Sequence, residues 1–504
     1  MNMSDLTHRL TALLASLSCM ALVAACGGGD GGSSATATSG TTAAPASPST
    51  PTPVTPVTPS VVATVQPTTP TTGATVPAVT PLSLAKAAAA AAPTTVASIP
   101  TRTDPAATLL PSGFTPAWPY QRYWISGGGT NNGNSTAADN PRLNTVAFIY
   151  NFANWTKLSA EITNSFNDGS KADYWSAGGA YATGGSYGGS QAYIGIRTNS
   201  RYVAMPSQIF CSMSLIVDGK LVAPGIHYTA NNQYAVWDLG TAEERNLVFV
   251  GSSSTWISEI VIENGAKIAP YDFTANQPVT ISFTGDSYMG YQAMEQKGLT
   301  FIDMQARLLG AVATTSTYVG GTGYRAEIND DFQTRASSPQ RMARFTEAKP
   351  TIMIVELGIN DPWPGTGPTT VEAMKTVLQG ARAANPDSVL VAVGPWEPNE
   401  SDTTNPDGQD IAVMNAISSI VEALPGPWIV LDNIRGNWKT SKGTARGSLR
   451  GPWQTGDGRT GAPTGQGNGD TWVSTDGVHP SEPIGIIGLA EVLTAELRAA
   501  LASM

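Results

Sequence analysis

From about residue 275 onward, short apolar runs alternate with segments of helical period, and this limits the fold more than any other feature of the chain. "PVTISFTGDS" precedes the helix-like "MGYQAMEQKG" and "FIDMQARLLGAV", and "TIMIVELG" precedes "TVEAMKTVLQGARAA". "SVLVAVGPW" precedes "QDIAVMNAISSIVEAL", and "WIVLDN" leads through a long Gly-rich loop to the closing helix "PIGIIGLAEVLTAELRAAL". Strands separated by helices pair in parallel, with both sheet faces covered. Residues 275–504 are therefore expected to form an α/β domain, with any site beyond the carboxyl ends of its strands.

Residues 108–274 are of another kind. Aromatics and alternating short runs recur ("TVAFIYNF", "QAYIGIRT", "SMSLIVDGKLV", "YAVWDLG", "NLVFVGS", "WISEIVIENG"), separated by turn formers such as Asp218-Gly219 and Asn264-Gly265. Many short strands at such spacing predict an all-β sandwich, and "DGK" between two runs predicts a hairpin.

Residues 26–107 are rich in Gly, Ser, Thr, Ala and Pro and poor in large apolar groups. Such a segment buries too little surface to offset its ordering entropy, so it reads as a disordered, Pro-extended linker. The stretch "SLAKAAAAAA" is given only transient helicity. Residues 1–25 have Arg9, an apolar run and small residues ahead of Cys26, the pattern of a secretory signal. Val23-Ala24-Ala25-Cys26 resembles a bacterial lipobox, which implies cleavage before Cys26 and lipidation of it. Gly27 in the next position favours the outer membrane by the same resemblance.

The three cysteines are Cys19, Cys26 and Cys211. Cys19 leaves with the signal and Cys26 is acylated, so Cys211 has no disulfide partner and reads as a buried thiol. The three histidines are His8, His227 and His479. A His-rich or Cys/His metal site is excluded by count, and a histidine base must be His227 or His479. A net charge of −10 argues against nucleic acid as partner.

Four short segments lie at strand ends or before the last helix: Gly285-Asp286-Ser287, Gly320-Gly321-Thr322-Gly323, Gly358-Ile359-Asn360-Asp361 and Asp476-Gly477-Val478-His479. Each alone is ordinary turn chemistry. Together they supply what acyl transfer needs. A serine hydroxyl requires a base, and His479 is the only histidine of the α/β part. Asp476 can accept from the other ring nitrogen and fix the tautomer. The Ser287 N–H, a glycine N–H and the Asn360 amide can meet a developing oxyanion.

In this order the segments "GDS", "GGTG", "GIND" and "DGVH" resemble the four blocks of the SGNH hydrolases, the GDSL esterase/lipase superfamily, over roughly 275–504. The resemblance implies a flavodoxin-like three-layer α/β/α fold. It makes Ser287 the nucleophile, Gly321 and Asn360 oxyanion donors beside the Ser287 N–H, His479 the base and Asp476 its partner, with no metal or cofactor. Gly320 and Gly323 remain alternatives to Gly321. Some SGNH esterases that deacetylate polysaccharides carry a jelly-roll sandwich before the catalytic domain, and the domain order here is similar.

Gly184-Gly185-Ser186-Tyr187-Gly188 fits a G-x-S-x-G elbow, but it lies in a Gly-rich stretch of the β part without the required strand and helix. His227 reads as a loop residue. Trp363 and Trp396 either wall the pocket or cover sheet edges. The loop at about 435–475 reads as a rim or lid, or else as a surface excursion. The acidic residues Asp330, Asp331, Asp407 and Asp410 lack an EF-hand pattern and read as solvated turns. The expectation is a lipid-anchored serine esterase of the bacterial cell envelope, acting on O-acetyl groups of carbohydrate. A lipase, arylesterase or polyester hydrolase would use the same residues, and an inactive glycan-binding lipoprotein is the alternative of another class.

Overall fold

The computed structural model describes residues 79–111, 116–124, 148–149, 156–163, 171–176, 192–207, 212–230, 233–251, 256–257, 259–290, 292–293, 298–328, 332–347, 349–361, 368–396, 408–443, 445–447, 472–474 and 478–504. Cys19, Cys26, Cys211, the Ser186 elbow, Trp363, Asp330, Asp331, Asp407 and Asp476 lie outside the described residues.

The first described element corrects the expected linker over its last part. Helix α1 (Pro81–Ala91) starts at Thr80, whose hydroxyl accepts the Ser83 N–H at 3.2 Å while the Ser83 hydroxyl accepts the Thr80 N–H at 3.0 Å. Its small side chains are the reason it docks. Ala85 and Ala89 are fully buried, and the Ala88 carbonyl comes so near Gly310 that a Cβ there would sit 2.4 Å from it. Arg498 then donates to the Ala92 and Pro93 carbonyls at 3.0 and 2.9 Å, and Glu491 accepts the Val96 N–H at 2.7 Å. Short strands at Thr101–Arg102 and Ala107–Leu110 follow, so regular structure is present ahead of residue 108.

Among the described residues the β-rich part forms two sheets of eight strands each, and six of these strands are β1 (Ala192–Thr198), β2 (Tyr202–Ser207), β3 (Ser212–Val217), β4 (Gln233–Asp238), β5 (Arg245–Gly251) and β6 (Glu259–Glu263). One sheet runs Thr101–Arg102, Lys220–Val222, β3, β5, β1 and Ile268–Pro270, and the other contains Ala107–Leu110, β4, β2 and β6. Asp218 and Gly219, at φ 49° and 79°, close the hairpin from β3 into Lys220–Val222, the mirror turn that suits a twisted pair.

Alternation assigns the two faces of the first sheet. Ile194, Ile196, Leu215, Leu247 and Phe249 meet Val203, Met205, Trp237 and Ile260 of the second sheet. Tyr193, Val248 and Val250 face the other way, into the core of the α/β part. Each such buried side chain contributes roughly 1.5–3 kcal/mol. The Tyr193 hydroxyl also donates to Asp303 at 2.8 Å.

The α/β part comprises β7 (Thr280–Gly285), α2 (Phe301–Leu308), β8 (Val312–Tyr318), α3 (Pro339–Glu347), β9 (Ile352–Glu356), α4 (Pro368–Ala384), β10 (Val389–Val393), α5 (Gly408–Glu422), β11 (Trp428–Asp432), β12 (Asn437–Thr440), β13 (Ala445–Gly447) and α6 (Ile484–Ser503). The sheet order is β8-β7-β9-β10-β11-β12-β13, parallel through β11 and antiparallel beyond. Strands β9, β10 and β11 are buried at every position because both faces are covered. Ile352 and Ile354 pack with Ile302 of α2 and Leu489 of α6, whereas Met353 and Val355 pack with Val377 of α4 and Val413 of α5. This is the expected three-layer arrangement beside a β-sandwich.

Two local expectations are corrected. After Ser287 the chain makes only a 3₁₀ turn, Ser287–Gly290, and then a short strand, Gln292–Ala293, paired with Leu299–Thr300. The first full helix is α2, capped by Thr300 and Asp303. The start of the expected 435–475 lid is sheet: β12 and β13 extend the edge beyond β11. The rest of that loop, apart from residues 472–474, is outside the described residues.

Candidate active site

The order β8-β7-β9 puts a switch point beside β7: the chain goes from β7 to β8 on one side and then crosses back past β7 to β9 on the other. β7 ends at Gly285, and the backbone turns at once into Asp286 and Ser287. A Cβ on Gly285 would lie 2.4 Å from the Met289 sulfur, so this turn tolerates no side chain there. It brings Ser287 to the carboxyl edge of the sheet, where His479 Nε2 stands 2.8 Å from Ser287 Oγ. The sequence separates these residues by 192 positions; the fold makes them a hydrogen-bonded pair.

His479 is held by its neighbours in chain and space. The 472–474 and 479–481 segments pair across a bridge between Val473 and Pro480, with Ser474 N–H donating to the His479 carbonyl at 2.8 Å and Ser481 N–H to the Trp472 carbonyl at 2.7 Å. Asp476 falls in the intervening 475–477, outside the described residues. Tyr288, fully buried, donates its hydroxyl to the Val478 carbonyl at 2.6 Å, and its ring centroid lies 5.7 Å from that of His479. Tyr288 thus ties the serine turn to the histidine turn. Nothing in the sequence marked it, since the position after the serine carries no chemistry of its own.

Two further loops carry the residues expected to meet an oxyanion. Asn360 donates one amide hydrogen to the Thr322 carbonyl at 3.0 Å, which aims its other hydrogen and fixes the side chain. Of the candidate glycines, Gly323 donates its N–H to the Ala326 carbonyl at 3.1 Å, and Thr322 likewise donates to Val319. Those two amides are engaged. Gly320 and Gly321 donate to no acceptor among the described residues, and a Cβ on Gly320 would lie 3.5 Å from Ser287 Cβ. Gly321 sits at φ 71°, a conformation natural only to glycine. Gly323 has a different reason to be glycine: a Cβ there would be 2.3 Å from an Asp361 carboxylate oxygen. That carboxylate accepts the N–H groups of Tyr324, Arg325 and Ala326 at 2.8, 2.7 and 3.1 Å and so holds the loop from behind. The last residue of "GIND" is therefore a loop anchor.

A set of buried acids underlies the pair. Burial pushes the Asp286 carboxyl up to about 7, against the opposing pull of the Tyr288 N–H and of the nearby His479 and Arg341 side chains. Glu356, at the end of β9, is pushed up to about 8, first by burial and further by the Asp286 charge. Its Oε1 accepts the Trp396 indole N–H at 2.8 Å, and Trp396 stacks on Tyr288 with centroids 6.3 Å apart. Trp396 is thus a buried support beneath the site. His227 is distant in role as well as in sequence: it lies on the short strand Ile226–His227 and its Nδ1 is 2.8 Å from the Ser212 hydroxyl. Among the described residues no group of three His, Cys, Asp or Glu side chains could hold a metal ion.

No protein-family model matches the sequence, and no curated protein does. Solved structures do. The chain is similar to a salicylyl-acyltransferase from a tetracycline biosynthetic pathway, at 12% identity and a TM-score of 0.44 over 62% of this chain and 83% of the other. It is similar to a family two carbohydrate esterase from Cellvibrio japonicus, at 12% identity and a TM-score of 0.41 over 70% and 97%. It is also similar to a GDSL-like lipase from Bacteroides ovatus, at 14% identity and a TM-score of 0.39 over 62% and 84%. With identities and TM-scores this low, the functional reading rests on the geometry of the site.

Proposed function

We propose that the protein is a serine esterase that works through an acyl-enzyme on Ser287. The observation that carries this is the His479 Nε2 to Ser287 Oγ contact of 2.8 Å at the carboxyl edge of the sheet; the Asn360 amide and the Gly320–Gly321 loop are assigned to the oxyanion side. His479 takes the hydroxyl proton as Oγ bonds to the ester carbon, and the carbonyl π pair moves onto oxygen. The oxyanion is met by the Ser287 N–H, the Gly321 N–H and the Asn360 amide. Collapse expels the alcohol, which leaves with the proton from His479. Water then repeats the sequence, releasing the acid and restoring Ser287. Asp476 is assigned to orient His479, as its place three residues earlier in the chain suggests.

As substrate we favour O-acetyl groups on carbohydrate. The chain is poor in charge, begins with a lipobox-like signal that would tether it at the cell envelope, and carries a β-sandwich ahead of the catalytic part. Ser287→Ala should abolish hydrolysis of para-nitrophenyl acetate while leaving the melting temperature close to wild type. A substrate series from acetyl to palmitoyl, set beside acetate release from acetylated xylan, tests the substrate. Faster turnover of long acyl chains and no acetate from glycans would make it a lipase. Fatty-acid metabolic labelling tests the anchor: label should vanish in Cys26→Ser and persist in Cys19→Ser.

A further inference from the structure

Arg341 is completely buried, in the first turn of α3, and its guanidinium reaches four oxygen atoms. One terminal nitrogen, Nη2, donates to the Gly285 and Thr317 carbonyls, both at 2.7 Å. The other, Nη1, donates to the Thr322 hydroxyl at 3.0 Å and the Thr334 carbonyl at 2.9 Å. A buried cation is expensive, and burying this one in a fork of oxygens requires each of them to be in place.

The acceptors are where the proposed chemistry is built. Gly285 is two residues before Ser287 and ends β7. Thr317 is near the end of β8, which among the described residues has a neighbour on one side only, and β8 leads directly into Gly320 and Gly321. Thr322 closes that loop, and its carbonyl is the acceptor that holds Asn360. The supports of all three oxyanion donors therefore converge on one guanidinium, which bridges two adjacent strand ends and the loop between them.

Resting on the esterase reading above, we infer that Arg341 is a positioning residue: it sets the Ser287 turn, the Gly320–Thr322 loop and, through Thr322, the Asn360 amide in register for the transition state. It touches no substrate. Its loss should lower kcat with little change in KM, because misplaced donors fail when charge develops, after the substrate is bound.

The test uses the full protein and para-nitrophenyl acetate, with active sites counted by a fluorophosphonate so that rates refer to folded enzyme. Arg341→Met should lower per-site kcat by roughly thirtyfold or more, with KM within about threefold. Arg341→Lys keeps the charge and part of the reach, and should recover some of that loss. Thr322→Val removes only the hydroxyl acceptor and should lower kcat several-fold. It also keeps the question answerable if Arg341→Met does not fold. A merely structural arginine would lower the melting temperature and the number of titrated sites while leaving per-site kcat at the wild-type value. That result in Arg341→Lys and Thr322→Val overturns the inference alone. A wild-type protein that neither hydrolyses the ester nor takes up the fluorophosphonate overturns the esterase reading beneath it.

Discussion

Replacing Glu356 by Gln should flatten the dependence of stability on pH. Glu356 is 1% exposed, accepts the Trp396 N–H at 2.8 Å and has its carboxyl pushed from 4.5 to about 8. The folded state therefore holds this proton through a range in which the unfolded chain has released it. Stability from this group is fully present below pH 4.5 and is lost as pH rises toward 8. A tenfold difference in proton affinity between the folded and unfolded states corresponds to about 1.4 kcal/mol, and integrating between pH 5 and pH 8 gives a loss of roughly 3 kcal/mol. Glutamine keeps the shape and the acceptor oxygen for Trp396 but has no proton to lose. Urea unfolding of wild type and variant at both pH values measures the effect: the fall in unfolding free energy should be smaller in the variant by roughly that amount. Asp286, also raised, contributes a fall of the same sign in both proteins. Equal falls in the two proteins would refute the reasoning, since they would mean that Glu356 is ionised in the fold throughout.

Asn360→Ala should lower kcat by roughly a hundred- to a thousandfold with little change in KM, because the amide meets full negative charge only in the transition state; steady-state kinetics decide it, and a pure KM effect would remove Asn360 from the oxyanion hole. Gly323→Ala should destabilise by roughly 2 kcal/mol or more, since its Cβ would fall 2.3 Å from the Asp361 carboxylate. A thermal melt equal to wild type would show that the 324–326 loop is not anchored by Asp361.

The parts of this molecule that were legible in the sequence are those in which one residue type answers to one local need. β9, β10 and β11 read as strands because both their faces are buried, so each is apolar up to its last residue. Ser287 and His479 were legible because a serine nucleophile needs a base, and the chain leaves only one histidine for the α/β part. The docking of α1 was hidden, because alanine stripes carry little hydrophobic signal; their value is closeness, as at Gly310, and closeness belongs to the partner surface. The helix expected after Ser287 failed on its own glycine and on a pairing with Leu299–Thr300 that no local pattern announces. Arg341 and Tyr288 were invisible for a further reason: Tyr288 and three of the four Arg341 hydrogen bonds act on backbone carbonyls, which every residue has, so those acceptors leave no mark in the sequence.

The first sheet of the sandwich is core on both sides, and this bears on modularity. Along β1 and β5 successive side chains answer to different halves of the protein, with Ile194 and Ile196 serving the sandwich, Tyr193 the α/β core, and Leu247 to Val250 alternating in the same way. A domain that could be exchanged or deleted would show the α/β part a wettable surface. This one shows it tyrosine and valine, and Tyr193 is further committed to Asp303. The two parts are therefore a single unit of inheritance: recombination that brings in a foreign sandwich must also bring α2 and its surroundings, and excision of the sandwich would strip the α/β part of interior.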